Sequence, residues 1–183
     1  MHRFLFYAVL LFLLTAFVPG EIEWSTARRL TWNDYTATAN SKSKFSALSD
    51  CAISFKTAGQ NDTVRVEVRT LLYPGRSWVK QKDKSDYLLS HEQLHFDITE
   101  WYARKFRKEL SGMKITAANA QKKLTSAYRK MFSAYTKTQR KYDAQTKHSL
   151  NKARQEAWIR QVKKELDKLS RYSSPVVRMK ISP

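Results

Sequence analysis

The chain has 183 residues, and its 34 lysines and arginines outnumber 16 aspartates and glutamates to give a formal net charge of +18. A single cysteine, Cys51, excludes an intramolecular disulfide. The excess of basic charge is read as a solvated helix face or an attraction to anionic surface polymers, and no nucleic-acid-binding signature accompanies it, so nucleic acid is not an expected partner.

Residues 1–20 begin with His2 and Arg3, continue through an apolar run from Phe4 to Val18 broken only by Thr15, and end in Pro19-Gly20. That layout predicts a secretory signal peptide, because the run falls short of the roughly 20 residues that a spanning helix needs. Residues 21–183 are then one domain without a stable membrane span, exported to the periplasm, the cell envelope or the outside. Cys51 is expected as a small buried hydrophobe.

Trp32 and Tyr35 stand in a mixed stretch and are read as anchors that pack an irregular N-terminal segment onto the core. Cys51 to Lys56 alternates apolar and polar residues, as a half-buried strand does. Gly59 to Asp62 signals a turn, and Val64, Val66 and Val68 alternate with Arg65, Glu67 and Arg69 in the clearest strand. Pro74-Gly75 marks a second turn, and Ser77-Trp78-Val79 a possible third strand.

From Asp86 the period becomes helical. Leu88, His91, His95, Ile98, Thr99 and Tyr102 form one stripe, which predicts a helix to about Leu110 with a stop at Ser111-Gly112. A second helix is expected from about Thr116 to Lys141 and a third from about Leu150 to Leu169. The tail is read as loose or a short edge strand. The fold class is therefore α+β, a small antiparallel sheet followed by three long helices.

His91-Glu92-Gln93-Leu94-His95 is an H-E-x-x-H sequence inside the first helix. Residues four apart are rotated by roughly 40° and displaced by about 6 Å, so both imidazoles face one point. Glu92 lies beside that point, where a carboxylate takes a proton from water activated by a metal. Together these features predict one Zn2+ ion held by His91 and His95, with Glu92 as general base.

A catalytic zinc needs a third protein ligand. The chain has four histidines, and once His2 leaves with the signal only His148 remains beside the helical pair. His148 is accordingly the leading candidate. Asp97 and Glu100 lie on the far side of the same helix; Glu100 is expected as a surface partner of Arg104. His148 belongs to the block Tyr142 to His148, placed between the second and third helices. There Tyr142 is a candidate oxyanion donor, with packing as its other reading, and Asp143 a group that orients an imidazole.

The blocks Leu30-x-Trp32-x-Asp34-Tyr35, Ser77-Trp78-Val79, Leu89-x-His91-Glu92-Gln93-x-His95-Phe96-Asp97-Ile98, Tyr142-Asp143-x-x-Thr146-x-His148 and Gln155-x-x-Trp158 resemble, in order, a bacterial domain family of unknown function described as predicted secreted zinc-dependent proteases. The resemblance implies a zincin-like fold, a metallopeptidase acting on peptide or protein substrates, and the roles given above to His91, Glu92 and His95; it supports His148 as third ligand. The family usually carries glycine where Ser149 stands. Two further readings are a hydrolase of a cell-envelope polymer and a non-catalytic zinc-containing envelope binding protein.

Overall fold

The computed structural model describes residues 20–60 and 62–182. The expected signal peptide, Gly20 apart, lies outside the described residues.

Two short strands, β1 (Ile22–Glu23) and β2 (Ala47–Leu48), precede a long hairpin of β3 (Cys51–Gln60) and β4 (Thr63–Leu72). The hairpin pairs without interruption from Cys51 opposite Leu72 to Gln60 opposite Thr63. It outruns the expected strands because Thr57 to Gln60 find backbone partners even though their side chains break the apolar alternation. Val66 and Val68, both fully buried, carry its core face.

β5 (Trp78–Val79) pairs with β2 in a separate two-stranded sheet instead of joining the hairpin. The C-terminal segment is not loose. As β7 (Val176–Ser182) it lies between β4, antiparallel, and β6 (Ile115–Thr116), parallel, and buries Val177 and Met179.

α1 (Asp86–Ser111) opens on Ser85, whose side chain accepts from Leu88 N at 3.2 Å. Gly112 follows it in the right-handed region (φ −99°, ψ −1°), so the helix ends without the left-handed turn for which a glycine was expected. The stripe of Leu88, His91, Ile98, Thr99 and Tyr102 is buried as its spacing requires. So are Phe106 and Leu110, and each large apolar side chain removed from water contributes about 1.5–3 kcal/mol.

The opposite face of α1 is buried too, which corrects the reading of Glu100. Its ion pair with Arg104 exists at 2.8 Å, but both residues are within the core, where Glu100 also accepts from Thr70 Oγ1 at 2.7 Å and Arg107 Nη1 at 2.9 Å. Arg107 in turn donates to Val68 O and Tyr172 O. This network fastens α1 to β4 and to the chain before β7, and every charged member has a partner, as burial demands.

α2 (Ala120–Thr146) starts later and ends later than expected. Thr116 is spent in β6, while no glycine or proline stops the helix at Lys141, and Thr146 Oγ1 donates back to Tyr142 O at 2.8 Å. Tyr142 and Asp143 therefore sit on the helix and not in a connecting segment. α3 (Lys152–Lys168) begins at Asn151, whose side chain accepts from Arg154 N at 3.1 Å. No helix among the described residues is long and apolar enough to cross a membrane.

Candidate metal centre

His91 and His95 project from α1 toward α2. Their Nε2 atoms stand 3.2 Å apart, and Asp143 Oδ1, on the last turns of α2, lies 3.3 Å from the first and 3.1 Å from the second. A tetrahedral zinc ion with bonds of about 2.0–2.1 Å spaces its ligand atoms roughly 3.3–3.4 Å apart, so this triangle is close to one face of such a tetrahedron. Among the described residues these three form the cluster with metal-ligand spacing.

The proton arrangement agrees with the spacing. Gln139 Nε2 donates to His95 O at 2.9 Å, which turns its Oε1 toward His95 Nδ1 at 2.7 Å. Gln155 Nε2 donates to Ser90 Oγ at 2.8 Å and to Tyr87 O at 3.3 Å, which turns its Oε1 toward His91 Nδ1 at 3.1 Å. Each Nδ1 must then carry the proton, and in the neutral rings each Nε2 presents a lone pair. Asp143 Oδ1 is buried and has no aligned hydrogen-bond donor. Three lone-pair atoms thus converge on one point, an arrangement that calls for a cation.

Electrostatics point the same way. Burial opposes charge on His95, but contact with Asp143 and the nearby Glu92 outweighs it and lifts the pKa to about 9. Burial opposes charge on Asp143 as well, and the two imidazoles overcome it, holding the carboxyl well below its ordinary range.

Glu92 is buried beside the histidines. Its Oε2 accepts from Ser49 Oγ at 2.6 Å, and Ser49 Oγ is 2.7 Å from Tyr35 OH. Tyr35 was expected only as a packing anchor; it also supports the residue that holds the candidate base. A cavity of about 260 Å³ opens on the site, lined among others by Phe45, Leu48, Ser49, Glu92 and His148. Cys51 is partly buried, packed against the smaller core cluster at this cavity wall, where desolvation and Glu92 push its thiol pKa well up and keep it protonated.

The expected ligands are brought together unequally. His91 and His95 meet as their spacing requires. His148 stands outside the triangle, with Nδ1 3.6 Å from Asp143 Oδ1, its side chain half-exposed and its ring on Phe45. Asp143, read from sequence as an orienting group, occupies the third corner instead. The longer α2 is the cause, since it carries Asp143 to the histidines and leaves His148 in the turn beyond. Lys147, His148 and Ser149 in that turn all have positive φ (50°, 50° and 72°).

Tyr142 is in contact with the site but not with its cavity. Its ring stacks on His91 at 4.6 Å and meets His95 edge-on at 4.9 Å, while its buried hydroxyl donates to His91 O at 3.3 Å. It braces both imidazoles, which fits the packing reading of Tyr142, and its hydroxyl is directed at His91 O rather than into the cavity. Asp97 faces away from the site and accepts from Trp24 Nε1 and Gln93 Nε2, both at 2.8 Å, fastening the N-terminal segment to the back of α1.

Sequence reasoning missed Gln139, Ser49 and the role of Gln155. Gln139 was discoverable, because it lies four residues before Asp143 and so shares its face of α2. Nothing in the sequence marks Ser49, which reaches Glu92 from a loop between β2 and β3.

A family model described as "Bacterial protein of unknown function (DUF922)" matches residues 24–149, a span that contains both histidines of α1, Glu92, Gln139 and Asp143. No curated protein and no solved structure matches the chain.

Proposed function

The chain belongs to that bacterial family, and from the geometry of its site we propose that it is a metal-dependent hydrolase, a zinc metallopeptidase in which His91, His95 and Asp143 hold the ion. The observation that carries this reading is the triangle of three lone-pair atoms with edges of 3.1, 3.2 and 3.3 Å, at the edge of a cavity that also contains a buried carboxylate. Two imidazoles and one carboxylate are a ligand set that zinc takes in catalytic sites.

A bound zinc ion supplies Lewis acidity, enough to polarise a carbonyl and bring the pKa of water down to about 7. The protein's own groups do the rest. Glu92 takes the proton from the attacking water and passes it to the leaving nitrogen, and the hydroxyl of Ser49 holds its carboxylate in place. Gln139 and Gln155 keep both histidines in the tautomer with Nε2 free. His148, on the cavity wall, replaces Tyr142 as the donor to a developing oxyanion. The zincin-like fold and export directed by residues 1–20 belong to the same proposal. Hydrolysis of a peptide library by zinc-loaded protein, lost in Glu92→Gln with metal content unchanged, is the result expected; undiminished hydrolysis by that variant contradicts the assignment of the base.

A further inference from the structure

The cations of α2 are arranged differently from those of α3. On α3, three of the six cations, Arg160, Lys163 and Lys168, have Glu156, Asp167 and Glu165 as partners one turn away, as on an ordinary solvated helix. On α2 the one carboxylate is Asp143, which belongs to the metal centre. Lys130 has Glu109 at 3.6 Å; among the described residues Lys122, Arg129, Lys137, Arg140 and Lys141 have no acidic partner. Like charges such as Lys137 and Lys141, four apart, cost roughly 0.2–0.5 kcal/mol per pair, and here nothing offsets the cost.

Placed on a helix at about 100° per residue, these cations and Lys123 fall within an arc of about 120°, and the only other residues of α2 in that arc are Ser126, Ser133 and Ala144. All are exposed. The stripe runs roughly 28 Å along the helix, and its far end, Arg140 and Lys141, shares the last turns of α2 with Gln139 and Asp143, which line the cavity from the adjoining side of the helix.

We propose that this stripe is a docking track for an extended acidic polypeptide, which it leads to the metal centre; the substrate class of the site is then acidic peptide segments. The inference rests on the hydrolase reading for its last step, cleavage, but not for binding. A track one helix wide fits a linear chain better than a plane, and about nine extended residues span it. It offers no aromatic face for stacking nucleic-acid bases and no apolar group for insertion into lipid, since Phe132 lies outside the arc. Five of its seven cations are lysines, which attract carboxylates as point charges without demanding one geometry.

The test is fluorescence anisotropy of a labelled nine-residue oligoglutamate with the chain from Glu21 carrying Glu92→Gln, in the presence of chelator. Binding is expected to weaken about tenfold between about 50 and 300 mM salt, and about tenfold in Lys122→Gln/Arg129→Gln/Lys137→Gln/Arg140→Gln at fixed salt. Either half of that variant alone is expected to weaken it about threefold, which covers loss of folding in the full set. Arg160→Gln/Lys164→Gln on α3 should leave binding within about twofold. Equal losses from the α3 variant, unchanged binding in the α2 variants, or tighter binding to single-stranded DNA or to anionic phospholipid vesicles would each overturn the proposal. Because metal and base are both disabled, a failure to bind is distinguishable from a failure of the hydrolase reading, in which the peptide binds and is never cut.

Discussion

Replacing Asp143 with asparagine separates the two candidates for the third ligand. The change keeps the shape of the side chain and removes the charge at the corner 3.1–3.3 Å from both Nε2 atoms. Outer groups around a metal site cost about 10–100-fold in affinity when lost, so a direct ligand should cost more than about 100-fold. His148, half-exposed and 3.6 Å from Asp143 Oδ1, should cost no more than the outer-group range when changed to alanine. The metal-free protein should also suffer, because the ion pair of Asp143 with the imidazolium of His95 at 3.1 Å is lost, a contribution of about 1–2 kcal/mol once discounted for the partial exposure of Asp143. For a chain of this size that is a fall in Tm of roughly 3–6 °C. The assay is competition for zinc against a chromophoric chelator, with thermal denaturation of the chelated protein beside it. Asp143→Asn with wild-type affinity, together with a His148→Ala variant that has lost its zinc, would make His148 and not Asp143 the third ligand.

Gln139→Leu should weaken zinc affinity about 10–100-fold while leaving all three ligands in place, and the same chelator competition reads it. Ser149→Gly should raise stability by about 0.5–1 kcal/mol, because Ser149 has φ 72°, and the left-handed strain it relieves exceeds the entropy that glycine adds; denaturant unfolding at unchanged m-value checks this. In the chelated protein, the stability difference between wild type and His95→Gln should be full below pH 6.5 and fade as pH rises through about 9, because the folded-state pKa of His95 is raised. The contribution of Asp143, whose pKa is lowered, should persist above its ordinary value near 3.8 and be lost on acidification. Thermal denaturation of wild type beside His95→Gln from about pH 5 to about 10 measures the first, and beside Asp143→Asn from about pH 6 down to about 2 the second; a His95 difference that grows with pH contradicts the charge assignment.

The parts of this fold that the sequence displayed are those with strong periodicity. The stripe on α1 placed His91 and His95 side by side, and the valines of β4 marked the hairpin. What it concealed depends on where a polar helix ends. Lys141 to Thr146 has no apolar stripe and no breaker, so nothing in the residues separates a helical turn from a linker, and that one turn decides whether Asp143 or His148 faces the histidines. β1, β2, β5 and β6 are two residues long and owe their pairing to the surrounding structure, not to propensity. Buried Glu100 was misplaced because Arg104 at the next turn looks like a surface partner, whereas Thr70 and Arg107, which make burial possible, are apparent only in three dimensions.

Metal analysis joined to hydrolysis decides whether this site is a catalytic metal centre. Purified protein loaded with zinc should hold one ion per chain, lose it in His91→Ala, retain it in Glu92→Gln, and cleave peptide bonds only when both the ion and Glu92 are present. A protein that binds no divalent metal with its histidines intact, or one that hydrolyses peptides equally well after chelation, has no catalytic metal at this site.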